Sequence, residues 1–300
     1  MPDAARPTIV LIHGAWVTNA CWDPFKRRYE ARGYQVVAPP WPFDERSIAE
    51  LRAAPDPRLA RSGIPEIVEH YAELVRAVPR PPILIGHSFG GLFVQLLLDR
   101  GLGACGVAIN PAPPRGVLPG PTAFRANLPF VMKPFAWRRV LTMPYPIFRR
   151  TFLNTIVEED EARRLFDAHV VPTAGRMFWD GLLTRGAGLG WRNPSRPPLL
   201  LITGTADRTV GAGMNRQNAA RYRGAPSRTD FREFAGRSHW IIAEPGWEEV
   251  ADVALDWAEK AGSPTRNLPP RGEGREPLDA PNPRPAGRNA AARTLSRSRR

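Results

Sequence analysis

Ile83-Leu84-Ile85-Gly86-His87-Ser88-Phe89-Gly90-Gly91-Leu92 is the stretch on which the reading of this chain turns. Its opening residues are a short apolar run of the kind that forms a strand buried on both faces. Phe89 then begins a segment predicted as a helix over Phe89–Asp99. Between strand and helix lies Gly-x-Ser-x-Gly. A sharp strand-to-helix turn there holds the serine in a strained conformation with its hydroxyl exposed above the sheet, and the glycines two positions either side make room for it. The helix also aims its first backbone N–H groups at any anion that forms near Ser88. The flanking strand and helix, more than the five-residue pattern, make Ser88 the candidate nucleophile. The glycines at 86, 90 and 91 are not a phosphate loop, because no Gly-Lys-Ser/Thr follows them.

Working outward, short apolar runs bounded by Gly and Pro alternate with longer segments of helical period, which predicts a parallel sheet covered by helices. The strands are read at Thr8–His13, Tyr34–Ala38, Ile83–Gly86, Gly106–Asn110, Leu199–Thr203 and Thr229–Phe234. Helices are read at Trp22–Ala31, Pro65–Val78, Phe89–Asp99, Gly213–Tyr222 and Glu248–Ala261. In the second of these, apolar residues recur at helical spacing against a charged face, and His70 is expected at its surface or half-buried. Two stretches break the alternation. Between Pro111 and Pro198 there is no clean strand, only helical fragments rich in Phe, Trp, Met and Arg, too long to be a mere connection. From about Gly262 apolar residues nearly vanish, which predicts disorder. The expected organisation is a core in two parts, 1–114 and 197–261, a helical insertion at 115–196, and an Arg/Pro-rich tail at 262–300.

Composition bounds the function. With 300 residues, 43% of them apolar, the chain can bury a substantial core. The net charge of +13 divides unevenly: nine arginines against Glu273, Glu276 and Asp279 place +6 in residues 261–300 and leave +7 to the rest. Lys26, Lys133 and Lys260 are the only lysines, an Arg bias that a GC-rich genome produces by itself. The body lacks the interleaved aromatic and basic face of single-strand binders, so no specific nucleic-acid partner is expected. No apolar run approaches the ~20 residues of a membrane span, and Met1–Pro7 does not read as a signal peptide, so a cytoplasmic location is expected. Cys21 and Cys105 fit a reducing compartment and are expected to be small core hydrophobes. The histidines are scattered, with no His-x-His or His-Glu-x-x-His spacing, and neither metal nor cofactor is inferred.

From Thr8 to Ala261 the chain resembles the α/β-hydrolase superfamily, in particular its lid-bearing esterase, cofactor-free haloperoxidase and hydroxynitrile-lyase-like branch. In that family the first recognisable strand ends in His-Gly, as in Ile12-His13-Gly14-Ala15-Trp16. The resemblance implies that the backbone N–H groups of Ala15 and Phe89 form an oxyanion hole. His13 and His87 are then turn and packing residues. The chain order Ser, acid, His is the one this fold uses. The acid follows a strand, which implies Asp207 in Gly204-Thr205-Ala206-Asp207-Arg208. Of five histidines, only His239, in Phe234-Ala235-Gly236-Arg237-Ser238-His239-Trp240, sits in the loop between the last strand and the final helix that returns to the nucleophile. Where some relatives carry an alternative acid, after the strand Gly106–Ile109, this chain has Asn110, which leaves Asp207 as the orienter. His169 reads as a polar residue of the insertion.

What the resemblance implies is an α/β fold with a mostly parallel doubly wound sheet of eight-stranded type, its first strands absent, and a helical lid. The activity implied is that of a serine hydrolase cleaving an ester or related acyl bond of a small, largely apolar substrate through an acyl-enzyme on Ser88. The same triad supports cofactor-free lyase or perhydrolase chemistry, and related folds serve as ligand-binding proteins with little turnover. Haloalkane dehalogenases and epoxide hydrolases need a carboxylate where this chain has Ser88. Trp16, Trp137, Phe178, Trp179 and Trp240 are the candidate substrate-binding residues. The oligomeric state is not legible.

Overall fold

The computed structural model describes residues 6–262; the stretch read as a disordered tail lies, beyond Gly262, outside the described residues. The first part of the chain runs β1 (Ile9–Ile12), α1 (Asp23–Ala31), β2 (Val36–Val37), α2 (Ile48–Ala53), α3 (Ile64–Ala77), β3 (Ile83–His87), α4 (Phe89–Asp99) and β4 (Cys105–Ile109). An insertion follows, with α5 (Pro121–Val131), β5 (Val140–Leu141), α6 (Tyr145–Thr151), α7 (Glu159–His169), β6 (Thr173–Ala174) and α8 (Gly175–Leu182). The chain then completes the sheet with β7 (Leu199–Gly204), α9 (Ala212–Arg221), β8 (Thr229–Phe234) and α10 (Trp247–Ala261).

Six strands pair in the order β2-β1-β3-β4-β7-β8, every pair parallel. Each central strand is buried along its whole length, as continuous apolar runs require when helices cover both faces. The edge strand β8 instead alternates apolar and charged residues, with Asp230, Arg232 and Glu233 blunting an otherwise open edge. The chain moves outward from β1 to β2 and then back across it to β3. The order of strands therefore reverses between β1 and β3, and in open α/β sheets such a reversal leaves a crevice at the carboxyl ends of the two strands. Gly14 and Ser88 lie at those ends.

Helix α3 buries Ile64, Ile67, Val68, Tyr71, Ala72 and Val75, the stripe its periodicity predicts, and His70 is half-buried with Nε2 donating to Pro40 O at 3.2 Å. Helix α4 is apolar nearly all round because it lies under the middle of the sheet. It approaches so closely that a Cβ on Gly90 would lie 2.0 Å from Ile12 O, and one on Gly86 would lie 2.2 Å from Gly90 O. Only glycine permits that crossing. Cys21 and Cys105 are buried and free, and burial pushes the Cys105 thiol up to about 12.

Two features were not read from the sequence. Helix α2 carries a reciprocal cap, Ser47 with Glu50, of the Ser-x-x-Glu type, a signal present in the sequence but too short-ranged to announce a six-residue helix. Within the insertion, where no clean strand was expected, β5 and β6 form a two-residue antiparallel pair, Val140 opposite Ala174 and Leu141 opposite Thr173. Strands of two residues carry no alternation to detect. The insertion is tied to the loop after β1 by an isolated bridge between Val17 and Val170 and by Val171 N donating to Trp16 O at 2.8 Å. Phe130, Phe148, Phe152, Met177 and Phe178 from the insertion join the main core. No helix among the described residues is long and apolar enough to cross a membrane.

Candidate active site

Ser88 has φ 57° and ψ −122°, a left-handed conformation that costs a non-glycine residue of order 1–3 kcal/mol unless its surroundings enforce it. Here they do. Ser88 N donates to Ile109 O at 3.0 Å, and Ser88 O accepts from Gly91, Leu92 and Ala112 N at 3.0, 3.2 and 2.9 Å. The turn is thereby pinned to the end of β4 and to the start of α4. The loop after β1 presses on the serine from the other side, where a Cβ on Gly14 would lie 2.7 Å from Ser88 Cβ and 3.3 Å from Ser88 Oγ. Ala15, next to Gly14, and Phe89, at the N-terminus of α4, line the same cavity as Ser88. Among the described residues neither amide donates to a backbone carbonyl. Trp16 follows with φ 73° and is clamped in that conformation between Phe130 and Phe178, at ring separations of 4.6 and 5.1 Å.

His239 and Asp207, named together through the resemblance, are in contact: His239 Nδ1 donates to Asp207 Oδ2 at 2.7 Å, both side chains buried. Asp207 Oδ1 accepts from Thr209 N and Val210 N at 2.7 and 3.0 Å, so one oxygen is committed to the loop and the other to the histidine. His239 Nε2 has no partner among the described residues, so Ser88 Oγ and His239 Nε2 make no hydrogen bond in this structure. Such bonds are often long without substrate and tighten when it binds. What joins the two halves is backbone: His87 Nε2 donates to His239 O at 2.8 Å, and the two imidazoles lie 4.7 Å apart.

Three residues that hold this arrangement were missed in the sequence. Asn110, read there only as a missing acid, donates from Nδ2 to Ser238 O at 3.0 Å and accepts from Gly204 N at 2.8 Å. It thus laces the ends of β4 and β7 to the histidine loop, and its φ of 42° is one that Asn tolerates better than most side chains. Glu244 is buried and accepts from Ser238 N at 3.0 Å and Ser238 Oγ at 2.6 Å, fixing the residue before His239. Phe152 stands edge-on over the His239 ring at 4.6 Å. Only Asn110 had any sequence signal, its place at a strand end.

A cavity of about 740 Å³ opens above Ser88, walled by Ala15, Trp16, Phe89, Phe152, Phe178 and Val210 toward its floor and by Trp137, Trp179 and residues of α5 toward its mouth. Every large exposed apolar side chain among the described residues, except Val157 and Leu183, lies around this cavity. Of the five aromatic residues expected to bind substrate, Trp16, Trp137, Phe178 and Trp179 line it. Trp240 does not. It is fully buried, packed against Phe148 and His169, so none of its surface is left to face the cavity. Among the described residues no cluster of three or more His, Cys, Asp or Glu could hold a metal ion.

Two more buried titratable groups are His13, read in the sequence as a turn and packing residue, and Asp44, which the sequence did not single out. His13 donates from Nδ1 to Gly14 O at 3.0 Å and stacks on Trp41 at 5.0 Å, and burial lowers its pKa to about 4. Asp44, whose Oδ1 lacks a partner, is pushed by burial and by Glu45 up to about 8. Between about pH 4 and 8 the folded state keeps an Asp44 proton that the unfolded chain releases, so this group makes stability fall as pH rises. His13 works at the other end: below pH 6.5 the unfolded chain binds a proton that the folded state refuses until about pH 4, so stability falls as pH falls. Asp44→Asn is expected to raise the melting temperature at pH 8 while leaving it nearly unchanged at pH 4. A variant less stable than the parent at pH 8 would mean that Asp44 is ionised and paired.

The family profile for the alpha/beta hydrolase family matches residues 9–253. The chain belongs to that family. None of the curated proteins matches it in sequence. Among solved structures it is similar to a monoacylglycerol lipase from Paleococcus ferrophilus, at 20% identity over 86% of this chain and 95% of that one, with a TM-score of 0.61. It is also similar to a pyrethroid hydrolase from Sphingobium faniae JZ-2, at 19% identity, 84% and 97% coverage and a TM-score of 0.61. A polyneuridine aldehyde esterase aligns at 15% identity, 84% and 99% coverage and a TM-score of 0.60. At these identities the likeness is one of fold. Membership of the alpha/beta hydrolase family supports an enzyme of hydrolase type acting on a small molecule.

Proposed function

We propose that this alpha/beta hydrolase is a serine hydrolase that cleaves an ester or related acyl bond of a small, largely apolar substrate. The observation that carries the reading is the His239–Asp207 pair, closed at 2.7 Å and bonded through the His239 carbonyl to His87, the residue before a strained Ser88. Ser88 Oγ attacks the acyl carbonyl as its proton passes to His239 Nε2, the ring nitrogen left free. Asp207 stabilises the imidazolium through Nδ1–H. The oxyanion is met by the N–H groups of Ala15 and Phe89 in a site that apolar walls keep dry, where such donors act most strongly. His239 then returns the proton to the leaving alcohol. A water deprotonated by the same nitrogen releases the acid from Ser88.

In this reading residues 115–196 act as the lid over the cavity, with Trp16, Trp137, Phe178 and Trp179 as its binding walls. Trp240 takes no part. A volume of about 740 Å³ suits a ligand of small to medium size. Each methylene that finds a place in it should contribute about 0.8 kcal/mol, or about fourfold in kcat/KM. p-Nitrophenyl esters lengthened from acetyl are therefore expected to be hydrolysed with rising kcat/KM until the cavity is full. A profile flat with chain length would overturn the apolar pocket, and no turnover of any ester would overturn the hydrolase.

A further inference from the structure

Beside the catalytic cavity opens a second one of about 910 Å³, and its chemistry is different. Its walls carry four arginines, Arg61, Arg138, Arg176 and Arg185, together with Trp137, Trp179 and Asp180. They come from three places in the chain: the turn before α3, the turn Ala136–Arg138, and α8 with its exit. Arg176 is already engaged, with Glu66 Oε1 at 3.4 Å, Asp180 Oδ2 at 3.9 Å and the Arg61 carbonyl at 3.1 Å. Arg61, Arg138 and Arg185 are exposed; Arg61 and Arg138 sit against no carboxylate among the described residues, and Arg185 acts electrostatically on Asp180 in the same wall. Elsewhere on the molecule the surface arginines Arg28, Arg32, Arg216 and Arg228 sit against carboxylates. Four guanidiniums against the carboxylates of Asp180 and Glu66 leave an excess of positive charge around one concavity.

Trp137 and Trp179 lie edge to face at 4.9 Å and line both cavities, so they form the partition between an apolar chamber and a cationic one. We propose that the second cavity is a binding site for an organic carboxylate with a planar apolar body. The body lies against the indoles, and the carboxylate is met by Arg61, Arg138 and Arg185, whose planar forks match it. The volume is that of a small-molecule site. Asp180 in the same wall, only partly offset by Arg176 and Arg185, penalises a doubly charged phosphate more than a singly charged carboxylate. The site does not depend on acyl transfer at Ser88.

The test is calorimetric titration of the full chain with 2-naphthoate, its neutral analogue 2-naphthamide, and 2-naphthyl phosphate. Naphthoate is expected to bind more tightly than the other two. Joint replacement Arg61→Gln, Arg138→Gln and Arg185→Gln should weaken naphthoate by about tenfold, the combined effect of three exposed charge pairs, and leave the amide unchanged. Trp137→Ala should weaken both carboxylate and amide. Prior reaction of the protein with a bulky fluorophosphonate should leave naphthoate binding within about twofold, and if no adduct forms, the hydrolase reading fails while the other arms still decide the site. The proposal is overturned if naphthoate does not bind, if the triple variant binds it as the parent does, if the phosphate binds more tightly, or if the fluorophosphonate adduct abolishes binding.

Discussion

Ser88→Ala is expected to abolish labelling by a fluorophosphonate and to lower ester turnover by about 10⁴-fold to 10⁶-fold, the range for loss of an acylated residue. The size follows from the geometry. Without Oγ no acyl-enzyme forms, and what remains is the binding cavity with the amides of Ala15 and Phe89. The fold should survive, because the backbone bonds of Ser88 to Ile109, Gly91, Leu92 and Ala112 do not involve the hydroxyl. Alanine is no worse than serine at φ 57° by more than a fraction of the strain already enforced there. Mass spectrometry of the labelled protein and kcat/KM on one ester check the outcome. Undiminished turnover in a folded variant would remove Ser88 from the mechanism.

Asp207→Asn should cost about 10⁴-fold in kcat while leaving the melting temperature close to that of the parent. The direction can be derived from the bonds around the carboxylate. Oδ1 accepts from the N–H groups of Thr209 and Val210, so an asparagine must keep its oxygen on that side. Its NH₂ then faces His239 Nδ1, which can only accept from it. The imidazole proton is forced onto Nε2, the nitrogen that must take the Ser88 proton, and the base is lost by tautomer alone. If Asp207→Asn retained most of its activity, another group would have to orient His239.

The sheet and five of its covering helices were legible because each rests on local signals, fully apolar runs of strand length and 3.6-residue periodicity; Ser88 stood out by a glycine pattern between a strand and a helix, whereas Asp207 and His239 were named through the resemblance. Strand limits were read to within about two residues, since buried parallel strands are apolar from end to end. The insertion was legible as helical and aromatic but not as a surface. Phe148 and Met177 look like Met132 and Phe135 in sequence, yet the first pair is fully buried and the second is 72% and 63% exposed at the cavity mouth.

Sequence by itself therefore determined the family fold, and it named Ser88, Asp207 and His239 as candidates, the first from the turn between a strand and a helix and the other two from the resemblance to the α/β-hydrolase superfamily. Tertiary structure alone decided which side chains share a space. Asn110 reaches Ser238 across 128 residues, Glu244 holds the loop from behind, and Trp240 points into the core while its neighbour His239 faces Asp207. The arginines at 61, 138 and 185 converge on one cavity from turns up to 124 positions apart. Such convergence leaves no trace in a single sequence, because local propensity is set within a few residues, whereas packing is set by whichever surfaces the completed sheet brings together.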